Sequence, residues 1–433
     1  MKANIKFSTL IDEVSTSIKR KDRRIIFKTL MTGFIISEGS KCIAGIFRLF
    51  EIMMLSNGIT RRRFYGFLQS GKLRLDRIWN QLYKLLGNDI ITVGRILISL
   101  DDTTYGKTGR RIEGTDIHYD HAAKLNSSKY IYGHCRVVLG IQTFIHGRWA
   151  CLPIKQGLYR LKKSVDEKEF MTKIEIAAKL INEVNSFFQV PMLIVTDSWF
   201  GNKSLAKKID FYRKSINILT RLRKDANLYA FPTETPMKKR GRKRKYGDKH
   251  PKLAELAKTL ARENGSCFIY GKKRECEYSE FICMHKGFKC AVKVVLIHYK
   301  SGWFFPIVST DTALTADQMI EYYSARWKIE SGFKELKHEL GVIDNQARKK
   351  NSVENHFELC CIAMTTAWVY NINQDKAPDR KFKTAKTNSY AFADVRRKIR
   401  NEYYESFNFS DICSSSVKYI KNYICSLFFE PVA

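Results

Sequence analysis

Acidic residues are scarce in this 433-residue chain: 43 Asp and Glu stand against 76 Lys and Arg, a formal charge of +33. A compact fold with that excess repels itself unless a polyanion or many counterions lie close. Nucleic acid is the natural partner, because phosphate neutralisation supplies most non-specific affinity. Charge alone also admits a ribosome-associated or membrane-surface protein. No stretch approaches ~18 uninterrupted apolar residues, so no membrane span is expected. The eleven cysteines are odd in number and contain no CxxC pair, and the opening MKANIKFSTLIDEV has no signal-peptide pattern. Those absences point to a reducing interior rather than a disulfide scaffold. The nine histidines show no HExxH or similar ligand spacing. Cys267, Cys276, Cys283 and Cys290 invite a zinc reading but lack the paired spacing of a structural site. Apolar material, by contrast, is ample. A hydrophobic share of 44%, with 27 Phe and 21 Tyr, makes disorder an unsuitable default. The length predicts two to four structural units.

Residues 1–90 read as helical, since RRIIFKTLMTGFIIS and CIAGIFRLFEIMMLS space apolar residues at three- and four-residue intervals. Arg61, Arg62 and Arg63 precede a further helical pattern; a helix-turn-helix-like unit and a plain bundle both fit. At Gly94 the pattern changes. RILISLDDTT is a strand ending in a carboxylate pair, and RVVLGIQTFIHGRWACLPIKQGLY reads as two strands about a His146-Gly147 turn. SVDEKEFMTKIEIAAKLINEV reads as a helix with an acidic first half, and PMLIVTDSWF as a strand ending in an acid. That succession opens an α/β domain with a mixed sheet. From residue 215 the chain is strand-rich, with a hairpin expected near CFIYGKKRECEY. The run KKRGRKRK, residues 238–245 and including Arg242, reads either as a phosphate-contacting loop or as a solvated charge run. WFFPIVST is a buried strand, and TADQMIEYYSARWKIESGFKELKHELG a helix with Thr315 as N-cap and Gly341 as C-cap. Residues 350–433 look helical.

Three acids sit at the ends of, or within, the strongest elements: Asp102, Asp197 and Glu330. Two-metal phosphoryl transfer needs such a trio from separate elements, with carboxylates bridging ions about 3.5–4 Å apart. Any one strand-end acid also reads as a solvated turn or helix cap. Asp101 competes directly with Asp102, because neighbours on a strand point to opposite faces and only one can aim at the site. At about 100° per residue, Tyr323, Arg326, Glu330 and Lys337 fall in one helical stripe, beside an apolar stripe of Ile329, Phe333, Leu336 and Leu340. The stripe sets a metal-binding acid between phosphate-gripping groups, and equally describes a salt-bridged, solvated face.

At this point the residues resemble a known family. YSARWKIESGFKELK matches, without a gap, the Tyr-x2-Arg-x3-Glu-x6-Lys signature of DDE transposases of bacterial insertion sequences. LDDTT and VTDSWF look like that family's two aspartate motifs. The resemblance covers about residues 95–345. It implies an α/β protein with a ribonuclease H-like mixed-sheet core in two parts, 91–214 and 301–349, split by an inserted mainly-β domain at 215–300. Helical regions flank it: a DNA-binding one at 1–90 and another at 350–433. It further implies that Asp102, Asp197 and Glu330 hold two Mg²⁺ (or Mn²⁺) ions and are catalytic, the D-T-T pattern favouring Asp102 over Asp101. Tyr323, Arg326 and Lys337 match positions that contact DNA phosphates. Trp327 reads as a base-stacking or a core aromatic, and Arg221 and Arg242 as further DNA contacts. The implied activity is metal-dependent DNA strand cleavage at transposon ends, then strand transfer into target DNA. Double-stranded DNA is the implied partner, a homodimer the implied state on DNA, and the prokaryotic cytoplasm, at the nucleoid, the implied location. Two rivals stand beside it: a catalytically silent DNA-binding protein derived from a transposase, and a nuclease of the same core that does not join strands.

Overall fold

The computed structural model describes residues 4–120, 123, 125–209, 215–233, 244–383 and 389–406. Six helices come first: α1 (Phe7–Ser15), α2 (Lys21–Ile36), α3 (Ile43–Leu49), α4 (Glu51–Ser56), α5 (Arg61–Gln69) and α6 (Leu75–Leu86). The apolar periodicity expected for CIAGIFRLFEIMMLS is realised as two short helices, because the chain leaves helical geometry at Phe50 (φ −116°, ψ 18°). Helices α1, α2, α5 and α6 pack around α12 (Lys350–Ile372), which is buried on nearly every side from His356 to Ile372. A helix without a polar face belongs inside a bundle. The basic trio Arg61–Arg63 stands exposed at the start of α5.

The sheet begins with β1 (Ile91–Thr92) and β2 (Arg95–Gly106), followed by β3 (Asp116–Tyr119), β4 (Tyr130–Ile145) and β5 (Arg148–Tyr159). His146 (φ 46°) and Gly147 (φ 82°) join β4 to β5, and two consecutive positive φ values mark the hairpin turn whose twist suits antiparallel strands. Next comes α7 (Lys173–Phe188), shorter than the sequence pattern predicts. Thr172 and Glu175 form a reciprocal capping box, so the helix starts there and the acidic Asp166–Glu169 segment lies outside it. Then follow β6 (Met192–Thr196), α8 (Lys203–Lys208) and β7 (Ile216–Arg221). Strands β2, β6 and β7 run parallel, with β4 antiparallel to β2 and β5 antiparallel to β4. The order across this half is therefore β5-β4-β2-β6-β7.

The stretch expected as a separate β unit supplies β8 (Leu228–Tyr229), α9 (Leu253–Thr259), β9 (Glu263–Ile269), β10 (Lys272–His285) and β11 (Cys290–His298). These strands continue the same sheet. β12 (Phe304–Ser309) pairs with β7 on one edge and β11 on the other, fusing both halves into twelve hydrogen-bonded strands. The chain closes with α10 (Ala316–Ala325), α11 (Lys328–His338), α12 and α13 (Phe392–Glu405). Thr315 and Gln318 form the capping box of α10, and Gly341 turns the chain out of α11 at φ 71°. Among the described residues, no helix is long and apolar enough to cross a membrane.

One face of the parallel strands carries Leu97, Leu193, Val195 and Leu219, packed against Met319, Ile320 and Tyr322 of α10. The opposite face of the sheet carries α7 on β4 and β5. This layering puts the C-terminal ends of β2, β6 and β7 between two sets of helices, where open α/β sheets place their ligands.

Candidate active site

Register decides which acids meet. Leu100 of β2 lies opposite Thr196 of β6, and Thr196 opposite Thr220 of β7. The residues one step on, Asp101, Asp197 and Arg221, thus form a row across three adjacent parallel strands, about 4.8 Å per step. Side chains at one level of neighbouring strands share a face. That face is the one covered by α10 and α11.

Arg326 stands at the centre of the group. Its Nη1 donates to Asp101 Oδ2 at 3.0 Å and its Nη2 to Glu330 Oε1 at 3.2 Å, with the guanidinium largely buried. Its Nε is buried without a hydrogen-bond partner. Burial foremost pushes the Asp101 carboxyl up to about 7, against the pull of Arg326, with Asp197 adding repulsion. Burial likewise raises Glu330, with Arg326 opposing and Asp197 reinforcing. Burial also works against the Arg326 charge, but Tyr323, Asp101, Glu330 and Asp197 together hold its pKa above the ordinary value. Three carboxylates from three elements therefore act on one arginine.

Tyr323 belongs to the same cluster: Arg326 lies over its ring at 5.8 Å, and its ring sits 5.6 Å from Phe305. Arg221 covers Phe305 from the other side at 4.7 Å. Asp197 Oδ1 accepts the backbone N–H groups of Trp199 and Phe200, both at 3.0 Å, which fixes the turn leaving β6.

The structure parts Asp102 from this group. Its carboxylate points to the α7 face, where Oδ2 accepts Lys173 Nζ at 2.8 Å and Cys135 Sγ at 3.4 Å. Lys173 in turn lies over the rings of Tyr159 and Trp199, at 5.4 and 5.7 Å. Lys337 is also apart from the carboxylates. Its ammonium donates to the Thr104 carbonyl at 2.8 Å, and burial lowers its pKa. Glu330 and Lys337 share one face of α11, but seven residues set the ammonium about 10 Å along the axis from the carboxylate. The expected single helix tightens between α10 and α11, where Trp327 N–H reaches Ser324 O and Ile329 N–H reaches Arg326 O, both three residues back. A three-residue turn inside a helix breaks the 100° progression. Trp327, at that turn, is half exposed. Arg242 lies outside the described residues.

Sequence reasoning named Asp101 only as a competitor, and it missed the exposed Trp199, whose signal was its place in VTDSWF, and Lys173, which lies 71 residues from Asp102 and had none. Among the described residues, no group of three or more His, Cys, Asp or Glu side chains is drawn together closely enough to hold a metal ion. The guanidinium of Arg326 bridges Asp101 and Glu330.

Comparisons with known proteins add the following. No curated protein matches the chain in sequence. In structure it is similar to piggyBac transposase in a synaptic complex with hairpin DNA: 12% identity, 98% of this chain and 83% of that one covered, TM-score 0.45. It is also similar to the NurA nuclease from Sulfolobus solfataricus, at 10% identity, 62% and 86% coverage, and a TM-score of 0.23. Both likenesses are weak. Residues 171–366 match the family described as the Transposase DDE domain, a match that supports a function in DNA transposition and takes in Asp197, Arg326 and Glu330 but not Asp101.

Proposed function

We propose that this protein is a transposase that cleaves DNA strands at the ends of a mobile element and joins the freed 3′ ends to target DNA. Asp101, Asp197 and Glu330 are its catalytic carboxylates. The observation that carries the reading is their convergence on Arg326 from β2, the end of β6 and α11. The order β5-β4-β2-β6-β7, antiparallel then parallel, supports a ribonuclease H-like core, with β8–β11 as the added β part.

Asp101, Asp197 and Glu330 would hold two Mg²⁺ or Mn²⁺ ions, which when bound activate the attacking oxygen and stabilise the leaving one. In donor chemistry the residues fit such a group. They are hard oxygen donors, as these ions require. Two of them, Asp101 and Glu330, are pushed up by burial first and then by the charge of Asp197, the state a dication relieves. Arg326 supplies the balancing charge for the carboxylates, and its unpartnered Nε is a donor suited to a phosphate oxygen. Tyr323 and Phe305 support the two arginines from beneath, so Arg326 and Arg221 can orient the backbone of a DNA strand crossing the row. The excess positive charge draws double-stranded DNA, both element ends and target, to this face. Dimerisation on paired ends is part of the same reading.

The test is purified protein with Mg²⁺ and DNA carrying the sequences that flank its own reading frame. Asp197→Ala and Glu330→Ala should each lower strand cleavage by at least ~10³-fold, the scale seen when catalytic groups are removed. Unchanged cleavage would dismiss the assignment. Cleavage without joined products would leave a nuclease, and DNA binding without cleavage a silent DNA-binding protein.

A further inference from the structure

Beyond Asp197 the chain borders a second feature. A groove of about 400 Å³ opens immediately after the aspartate, between the β6–α8 loop, the end of β7 with the turn after it, and the β10–β11 hairpin tip. That size lies within the range of pockets that take a small ligand, ~300–1,000 Å³. Its lining includes Lys203, Arg221, Arg223 and Lys286 against a single acid, Asp225. Asp225 is already spent on Arg223, at 3.0 Å. Lys203, Arg221 and Lys286 have no carboxylate partner among the described residues, and all three are exposed. Three cations without a carboxylate partner around one concavity present converging positive charge to an incoming anion.

The walls are fixed in place. Thr220 Oγ1 donates to the Asp197 carbonyl at 2.8 Å, and Gly201 is packed against Thr220 so closely that any Cβ would collide with it. Asn202 Oδ1 accepts the backbone N–H groups of Ser204 and Leu205, holding Lys203 at the start of α8. Across the groove, the His285 ring accepts the Phe288 N–H at 3.0 Å, and burial lowers the His285 pKa to about 4, so this clasp on the hairpin tip stays neutral at ordinary pH. Lys286 is carried on that clasped turn.

We propose that this groove binds the sugar–phosphate backbone of a single DNA strand running on from the carboxylate row, with Lys203 and Lys286 as phosphate contacts on opposite walls. The inference rests on the DNA-strand reading of the neighbouring site and names where that strand continues. At about 400 Å³ the concavity has room for one nucleotide unit and not for a duplex.

The experiment uses the full chain in EDTA with a fluorescein-labelled 12-nucleotide oligothymidylate, and the same length of duplex as a second probe. Lys203→Ala/Lys286→Ala should reduce the slope of log affinity against log salt by about 1.4, since each single-strand phosphate contact contributes ~0.7. At 0.1 M salt that is a roughly 10- to 30-fold loss for the single strand. Duplex binding should fall far less, and so should single-strand binding by a charge-matched Lys84→Ala/Lys179→Ala control on α6 and α7. Unchanged single-strand binding, or equal losses for both probes or both variants, would overturn the groove. Because no metal or cleavage is involved, that outcome is separable from failure of the catalytic assignment, which Asp197→Ala reads independently.

Discussion

Asp101→Asn should abolish metal-dependent DNA strand cleavage, lowering it by at least ~10³-fold, while Asp102→Asn should retain activity within ~10-fold of wild type. The two residues are adjacent, yet register and contacts separate them. Asp101 falls beside Asp197 across the parallel β2–β6 pair and shares Arg326 with Glu330. Asp102 faces the other way and is held by Lys173. Its loss should register instead as stability. Removing one partner of a partly buried, charge-assisted hydrogen bond costs roughly 1–3 kcal/mol, and Asp102→Asn should shift a denaturant midpoint accordingly. Side-by-side cleavage rates check the pair. Loss of activity in Asp102→Asn with retention in Asp101→Asn would return the first carboxylate to Asp102.

The second large effect lies in the core. Glu358 of α12 is buried and accepts Trp79 Nε1 of α6 on one oxygen and Gln156 Nε2 of β5 on the other, at 2.8 Å. Gln156 in turn accepts Arg136 of β4, which is fully buried, donates to the Tyr105 hydroxyl at 3.0 Å and stacks on Phe357 at 4.5 Å. Glu358 thus reaches Arg136 through Gln156, and the network ties α6 and α12 to strands β4 and β5. Glu358→Ala should cost about 2–5 kcal/mol, because it leaves two buried donors, Trp79 Nε1 and Gln156 Nε2, without an acceptor. Glu358→Gln, which keeps an acceptor for Trp79, should cost less. Equilibrium urea unfolding of the two variants measures both; a loss under about 1 kcal/mol for the alanine variant would show that the network is not structural.

How much of this was legible in the sequence differs from residue to residue. Local signals read true where local chemistry decides: the Thr315 cap, the Gly341 stop and the His146-Gly147 turn all depend on a few neighbouring residues. Alternation along LDDTT showed that Asp101 and Asp102 must part company, but not which faces the site. That choice belongs to the pairing of β2 with β6, a contact between segments about a hundred residues apart. Projecting Tyr323 to Lys337 around one ideal helix left out the three-residue turns at Trp327 and Ile329, and it showed direction around the axis but not the two helical turns that separate Glu330 from Lys337. Residues 215–300 were legible as strands but not as part of the core sheet, because only the double pairing of β12 makes them so. The Arg136–Gln156–Glu358 network had no sequence signature at all, since its members are distant in the chain and each reads as an ordinary polar residue.

The most direct test of the central claim is to ask where a divalent ion sits. Fe²⁺ substituted for Mg²⁺ and supplied with hydrogen peroxide and ascorbate reduces the peroxide to hydroxide and a hydroxyl radical that cuts the polypeptide next to the metal, and the fragments report the site without any DNA. The account predicts cuts flanking Asp101, Asp197 and Glu330, suppressed by excess Mg²⁺ and lost together in Asp197→Asn. Cuts confined to the Lys173 end of α7, or a pattern untouched by Asp197→Asn, would contradict it.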